Sequence, residues 1–101
     1  MVVVERMIQQ IYPDKWEELE AIDKKFNLAE ARLGFPPKKR YQLLSGRDAM
    51  NTLIVERQWP SLAALEATNE KAMADPGYQL LGKGLTSIVK SMHWELYMPL
   101  P

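Results

Sequence analysis

The sequence predicts an α+β fold in which four strands form one antiparallel sheet and two helical segments cover it. Three observations carry this prediction. Runs of strand length rich in β-branched residues are separated by runs of helical period. Proline or glycine stands at most changes of period. The second and third strand runs are joined by a short polar stretch, the mark of an antiparallel pair.

The first run, Val2 to Ile11, is a strand with charges at its centre, Val3-Val4-Glu5-Arg6-Met7-Ile8. From Pro13 to about Leu33 the spacing is helical, with Trp16, Leu19, Ile22 and Phe26 on one face and Glu17, Glu18, Lys24 and Lys25 opposite. Pro13 suits the first turn of that helix and Gly34 the position past its end. Phe35-Pro36-Pro37 is a loop, because a residue before proline avoids helix. Lys38 to Ser45 is the second strand, Gly46 to Asn51 a turn, and Thr52 to Trp59 the third strand. Pro60 opens a second helix over Ser61 to about Ala74, with Leu62, Leu65, Ala72 and Met73 on its buried side. Asp75-Pro76 restarts the chain as N-cap and first helical residue. Tyr78, Leu81, Leu85 and Ile88 continue the helical spacing, and Ser91 to Met98 is the last strand. The order is that of a ferredoxin-like βαββαβ arrangement. A weak internal echo agrees: Val4-Glu5-Arg6 returns as Val55-Glu56-Arg57, and Leu19-Glu20-Ala21 as Leu65-Glu66-Ala67.

With 101 residues, 47% hydrophobic and 26% charged, residues 1–101 are expected to form one domain with an ordinary core. Thirteen basic and thirteen acidic side chains cancel, which argues against a general nucleic-acid binder. The absence of cysteine removes disulfides and thiolate chemistry, and a single histidine removes two-histidine metal sites. No glycine-rich phosphate loop or nucleophile elbow occurs, so no cofactor is expected, whether NAD, flavin or ATP, and no metal. Met1 to Val4 is followed at once by Glu5 and Arg6, so no signal-peptide core is read. No apolar run reaches membrane length. A cytoplasmic location is the expectation.

The strands do not alternate cleanly. Val2, Val4 and Ile8 share one side of the first strand with Arg6, and Val3, Met7 and Ile11 share the other with Glu5. In the last strand Met92, Trp94, Leu96 and Met98 oppose Ser91, His93, Glu95 and Tyr97. Both faces are too apolar for one to be fully wet, which predicts a homodimer joined through the sheet face that the helices leave free.

The whole chain resembles the dimeric α/β-barrel superfamily, and within it the small NIPSNAP-like proteins. The resemblance rests on Trp59-Pro60-Ser61-Leu62-Ala63-Ala64-Leu65-Glu66, on Ala74-Asp75-Pro76-Gly77-Tyr78-Gln79, and on Trp94-Glu95-Leu96-Tyr97-Met98-Pro99-Leu100. It implies a homodimer whose sheets form a barrel, with a ligand cavity in each subunit between helices and sheet. The superfamily includes cofactor-free monooxygenases, haem-degrading enzymes, isomerases and members without known activity, so fold does not assign function. Its haem-degrading members use an asparagine on the first strand and a histidine on the second helix. This first strand has no asparagine, and the second helix offers Asn69 but no histidine.

Several residues are candidates for a site. His93, the one histidine, reads as a general base with Tyr97 beside it, as an axial haem ligand, or as a polar residue satisfied within the sheet or the dimer interface. Glu5, Arg6, Glu56 and Arg57 read as a charged patch orienting a polar ligand through Arg57, or as a structural ion-pair network. Tyr12, Trp16, Phe26, Trp59, Tyr78 and Trp94 read as cavity walls or as core. Lys38-Lys39-Arg40 reads as a solvated strand start or as an anion site. Two functions fit: a domain that binds a small apolar or aromatic molecule, and a cofactor-free oxygenase acting on phenolic or polyketide-like substrates.

Overall fold

The computed structural model describes residues 1–48 and 50–101. Ala49, in the turn expected between the second and third strands, lies outside them. The elements are β1 (Val3–Ile11), α1 (Trp16–Leu33), β2 (Lys38–Gln42), β3 (Thr52–Trp59), α2 (Leu62–Ala74), α3 (Pro76–Gly84), a 3-10 turn (Leu85–Ser87) and β4 (Val89–Tyr97). The sheet has four strands in the order β2-β3-β1-β4, and every neighbouring pair is antiparallel. The expected ferredoxin-like α+β architecture is the one observed.

Three boundaries differ from expectation, each for a local reason. Pro13 and Asp14 form a turn closed by the Lys15 amide on the Tyr12 carbonyl, and α1 begins only at Trp16. β2 stops at Gln42 because the chain then bends away toward Asn51, whose carbonyl accepts from the Ile11 amide. β4 starts early, at Val89, where a bulge between Gln10 and Ile11 resets its register with β1. The expected caps hold elsewhere. Gly34 takes the left-handed conformation (φ 89°) that ends α1. Ser61, expected as the first residue of the second helix, instead caps it, its hydroxyl accepting from the Ala64 amide at 3.0 Å.

On α1 the expected stripe faces inward: Leu19 and Phe26 are buried, and Trp16 and Ile22 pack beside them. On α2 only part of the expected stripe does so. Leu65 and Ala72 lie seven residues apart, two turns along one face, and are buried. Leu62 and Met73 fall together on one side of that line, further round the helix, and are exposed.

Asp75 joins the three helices. Its carboxylate caps α3 by accepting the Tyr78 amide at 2.8 Å, and both its oxygens take a bond of 2.9 Å from the Arg32 guanidinium on α1. The Asp75 amide closes α2 on the Ala72 carbonyl. The Arg32 bonds, then the Tyr78 amide, pull the carboxyl down to about 2. A carboxyl depressed on folding adds stability above its unfolded pKa and loses it as pH falls through the folded value. Wild-type melting temperature is therefore expected to fall between about pH 4 and pH 2 relative to Asp75→Asn, the two converging near pH 2. A gap that stays constant with pH excludes this assignment.

The core lies between helices and sheet in two parts. Ile11, Leu19, Leu53, Val55 and Ile88 form one cluster, with Met7, Trp16, Ile22, Leu85 and Val89 against it. Val3, Trp59 and Leu65 form the other, with Phe35 and Ala64. The strand register explains the division. Val3 pairs with Trp59 and Met7 with Val55, and the row between them is Glu5 with Arg57. A charged row thus interrupts the apolar layer under the helices.

Candidate functional site

The interruption is a cleft of about 480 Å³ between sheet and helices. Its floor is three cross-strand rows. Lys38, Arg57, Glu5 and Leu96 make the first, and Val55, Met7 and Trp94 continue the second beyond Arg40. Leu53, Gln9 and Met92 make the third. Side chains alternate along a strand, so this set takes every second residue. The roof comes from α1 (Leu19, Ile22, Phe26, Glu30), α2 (Leu65, Asn69, Ala72) and Tyr78 of α3. Trp94 and Leu96 point to this side yet remain 56% and 51% exposed, so the cleft opens along β4.

One end of the cleft is polar and ordered. The Arg57 guanidinium, 7% exposed, meets Glu30 Oε1 at 2.6 Å, and its Nε donates to the Pro36 carbonyl at 3.2 Å. It also lies over the Phe35 ring, 4.9 Å from the centroid. Lys38 Nζ donates to Asp23 at 2.7 Å and to Glu30 at 3.1 Å, and its side chain is only 11% exposed. The expected solvated strand start is therefore not what forms. β2 turns Lys38 inward toward the acids of α1, while Arg40 reaches Glu20 with two bonds of 2.8 and 3.0 Å. Glu5 Oε1 accepts the Trp59 indole N–H at 3.1 Å. Tyr78 stacks on Phe35 and meets Phe26 edge-on, with centroids 5.7 and 5.6 Å apart. Burial, then the charge of Glu30, pushes its phenol up, so at neutral pH it is a hydroxyl donor.

Of the residues expected at a ligand site, Arg57 and Tyr78 line the cleft, as do Phe26 and Trp94. Trp59 is fully buried behind Glu5 rather than at a mouth, because its ring fills the corner between Val3, Leu65 and Phe35. Trp16 and Tyr12 lie outside the cleft. Trp16 begins α1 beyond the third row, where its indole donates to Asn51 Oδ1 at 3.0 Å. Tyr12 follows the β1 bulge and is exposed. Sequence reasoning passed over Glu30 and Asp23 as site residues and read Lys38 as a solvated strand start. The signal available was the helical spacing that puts Asp23, Phe26 and Glu30 on one side of α1, above a strand opening with Lys38.

His93 and Tyr97 sit on the opposite face of the sheet, in register with Ile8 and Val4. His93 borders a smaller groove of about 240 Å³ with Arg6, Ile8, Ile54 and Glu95, which Arg47 and Asp48 of the β2–β3 connection complete. Tyr97 donates to Glu95, and that bond raises its phenol above the usual range. Lys39, Glu56, Arg6 and Glu95 form one row across this face, alternating in sign. Arg6 Nε stands 3.8 Å from Glu56 Oε1 and is buried without a hydrogen bond. Among the described residues no cluster of histidine and carboxylates suited to a metal occurs, and no helix is long and apolar enough to cross a membrane.

No family model and no curated protein matches the sequence. Solved structures do match. A NIPSNAP family protein from Agrobacterium tumefaciens superposes with a TM-score of 0.83 at 18% identity, covering 98% of this chain and 86% of its own. An uncharacterised NIPSNAP domain protein from Burkholderia xenovorans gives 0.82 at 17% identity, covering 97% and 94%. SnoaB, a cofactor-independent oxygenase from Streptomyces nogalater, gives 0.68 at 18% identity, covering 97% and 92%. This chain therefore has the ferredoxin-like α+β fold of the NIPSNAP proteins, a fold it also shares with SnoaB.

Proposed function

We propose that this protein binds a small, largely apolar or aromatic molecule in the cleft between helices and sheet, without a cofactor. The cleft itself carries the reading: about 480 Å³, walled by Met7, Phe26, Val55, Leu65 and Trp94, with its charged groups gathered at one end. Binding sites are concave, mainly apolar, and oriented by a few polar groups. N-phenyl-1-naphthylamine, a neutral apolar fluorophore, is expected to bind saturably at one site per chain. Ala72→Trp, which fills the cleft from α2, is expected to abolish that binding while the circular dichroism spectrum is kept. Absence of saturable binding to the wild type overturns the reading.

The protein acts in this reading as a homodimer through the sheet face away from the helices. Two features support it. The row Lys39, Glu56, Arg6, Glu95 offers a rotated copy opposite charges in equal number. Val2, Tyr41 and Tyr97 are exposed around it. His93 and Tyr97 then belong to the interface. Light scattering on a sizing column is expected to give twice 11.6 kDa. A mass of one chain removes the dimer.

The oxygenase alternative draws on the likeness to SnoaB and on the presence of Glu5 and Tyr78 in the cleft. It requires a base beside the substrate, and among the described residues Glu5 is the cleft carboxylate without an ion pair. Oxygen uptake with an oxidisable phenol, lost in Glu5→Gln, distinguishes turnover from binding.

A further inference from the structure

We propose that the cleft selects ligands carrying a protonated amine beside an apolar or aromatic body, with Glu5 as the counter-charge. The inference rests on the binding reading above and specifies its ligand.

The cations of the cleft are already matched. Lys38 is held by Asp23 and Glu30, and Arg57 by Glu30. Three carboxylates, Glu5, Asp23 and Glu30, line the cleft against the two cations Lys38 and Arg57. Including the adjoining pair Arg40 and Glu20 adds one charge of each sign and leaves the excess unchanged. The surplus negative charge is Glu5. Its strand neighbour in register is Arg57, but that guanidinium is turned to Glu30 and the Pro36 carbonyl. Among the described residues Glu5 makes no ion pair, and its one hydrogen bond, to Oε1, comes from a neutral indole. Among the described residues its other oxygen has no hydrogen-bond partner.

A carboxylate beside apolar walls gains more from an incoming cation than one in water does, because the local dielectric is lower. The geometry also says where the rest of the ligand goes. From Glu5 the floor runs through Met7 to Gln9 along β1, and through Leu96 to Trp94 and Met92 along β4. An amine on Glu5 thus leaves its apolar part over Met7 and against the Trp94 ring, toward the open side. Among the described residues the Tyr78 hydroxyl, on the same polar end, makes no hydrogen bond, so it is open to the ligand. An anionic ligand meets the opposite situation, since Arg57 and Lys38 would have to leave their carboxylates to receive it.

Three probes of similar shape test this: 1-naphthylmethylamine, 1-naphthalenemethanol and 1-naphthaleneacetate (the carboxylate), titrated at pH 7 by calorimetry. The amine is expected to bind at least about tenfold more tightly than the alcohol, a difference of about 1.4 kcal/mol, and the acetate most weakly. Glu5→Gln keeps the size of the side chain and an acceptor for the indole. It is expected to remove the preference for the amine while the alcohol binds as before. If wild type binds amine and alcohol equally, or prefers the acetate, the amine assignment is wrong and the apolar binding reading stands. If no probe binds, both fail. A preference for the amine that survives Glu5→Gln also overturns the role given to Glu5.

Discussion

Arg57→Ala is expected to cost about 3 kcal/mol of folding stability, at the low end of what removing one partner of a buried ion pair does. The side chain is almost fully enclosed and has three attachments: Glu30 at 2.6 Å, the Pro36 carbonyl and the Phe35 ring. Truncation leaves the Pro36 carbonyl unmet and a void beside Phe35. It does not leave Glu30 alone, because Lys38 Nζ stays 3.1 Å away. That residual pairing is why the cost stays near 3 rather than 5 kcal/mol. Two further variants separate charge from packing. Arg57→Met keeps much of the contact with Phe35 and is expected to recover part of the loss. Glu30→Gln in the Arg57→Ala background is expected to cost less than Glu30→Gln alone, since the two residues share one interaction. Urea unfolding at fixed pH reads all four. A loss below about 1 kcal/mol for Arg57→Ala puts the pair among surface ion pairs, and the cleft's polar end is then not a fixed structure.

The same residues show why some of this site was legible in the sequence and some was not. Strand order and pairing followed from periodicity and punctuation, which are local. That topology makes the first and third strands neighbours, so the charges Glu5, Arg6, Glu56 and Arg57 can meet cross-strand, and the register pairs Glu5 with Arg57 and Arg6 with Glu56. What the sequence withheld is which charge each of them meets. Facing residues in register need not bond: Arg57 turns to α1 and Glu5 to Trp59. Lys38 looked solvated because it opens a basic run at a strand start. Only the packing of α1 over β2 reveals Asp23 and Glu30 above it. Strand alternation correctly grouped His93, Glu95 and Tyr97 together. It could not say on which side the helices lie, since the apolar face of Met92, Trp94 and Leu96 could meet either the helices or a second sheet. The side was decided by β1 and β3, whose Val3, Leu53, Val55 and Trp59 meet the helices.

Trp59→Ala is expected to be the most damaging single substitution outside the charged row, costing 3–5 kcal/mol, approximately the range for truncating a large buried aromatic. Trp59 is 2% exposed and closes the end of the sheet, where it packs with Val3 and Leu65 and meets Phe35 at 5.8 Å between centroids. Its loss removes the centre of the smaller core cluster, for which no other aromatic can substitute. A domain of this size is stable by only about 5–15 kcal/mol, so a large share of the total goes with it. Trp59→Phe is the more telling change. It retains most of the apolar burial but deletes the indole N–H that Glu5 accepts. Its expected cost is about 1–2 kcal/mol, split between lost volume and a carboxylate left without its donor. Pairing it with Glu5→Gln removes the penalty on the carboxylate, so the double variant is expected to be more stable than the sum of the single losses implies. The urea midpoints of these variants distinguish two roles for Trp59. A residue at a binding mouth tolerates alanine with little loss of stability, whereas an anchor that both fills the corner and holds Glu5 toward the cleft does not. If Trp59→Ala costs less than about 1 kcal/mol, the anchor role is wrong, and the orientation of Glu5 has to come from elsewhere in the row.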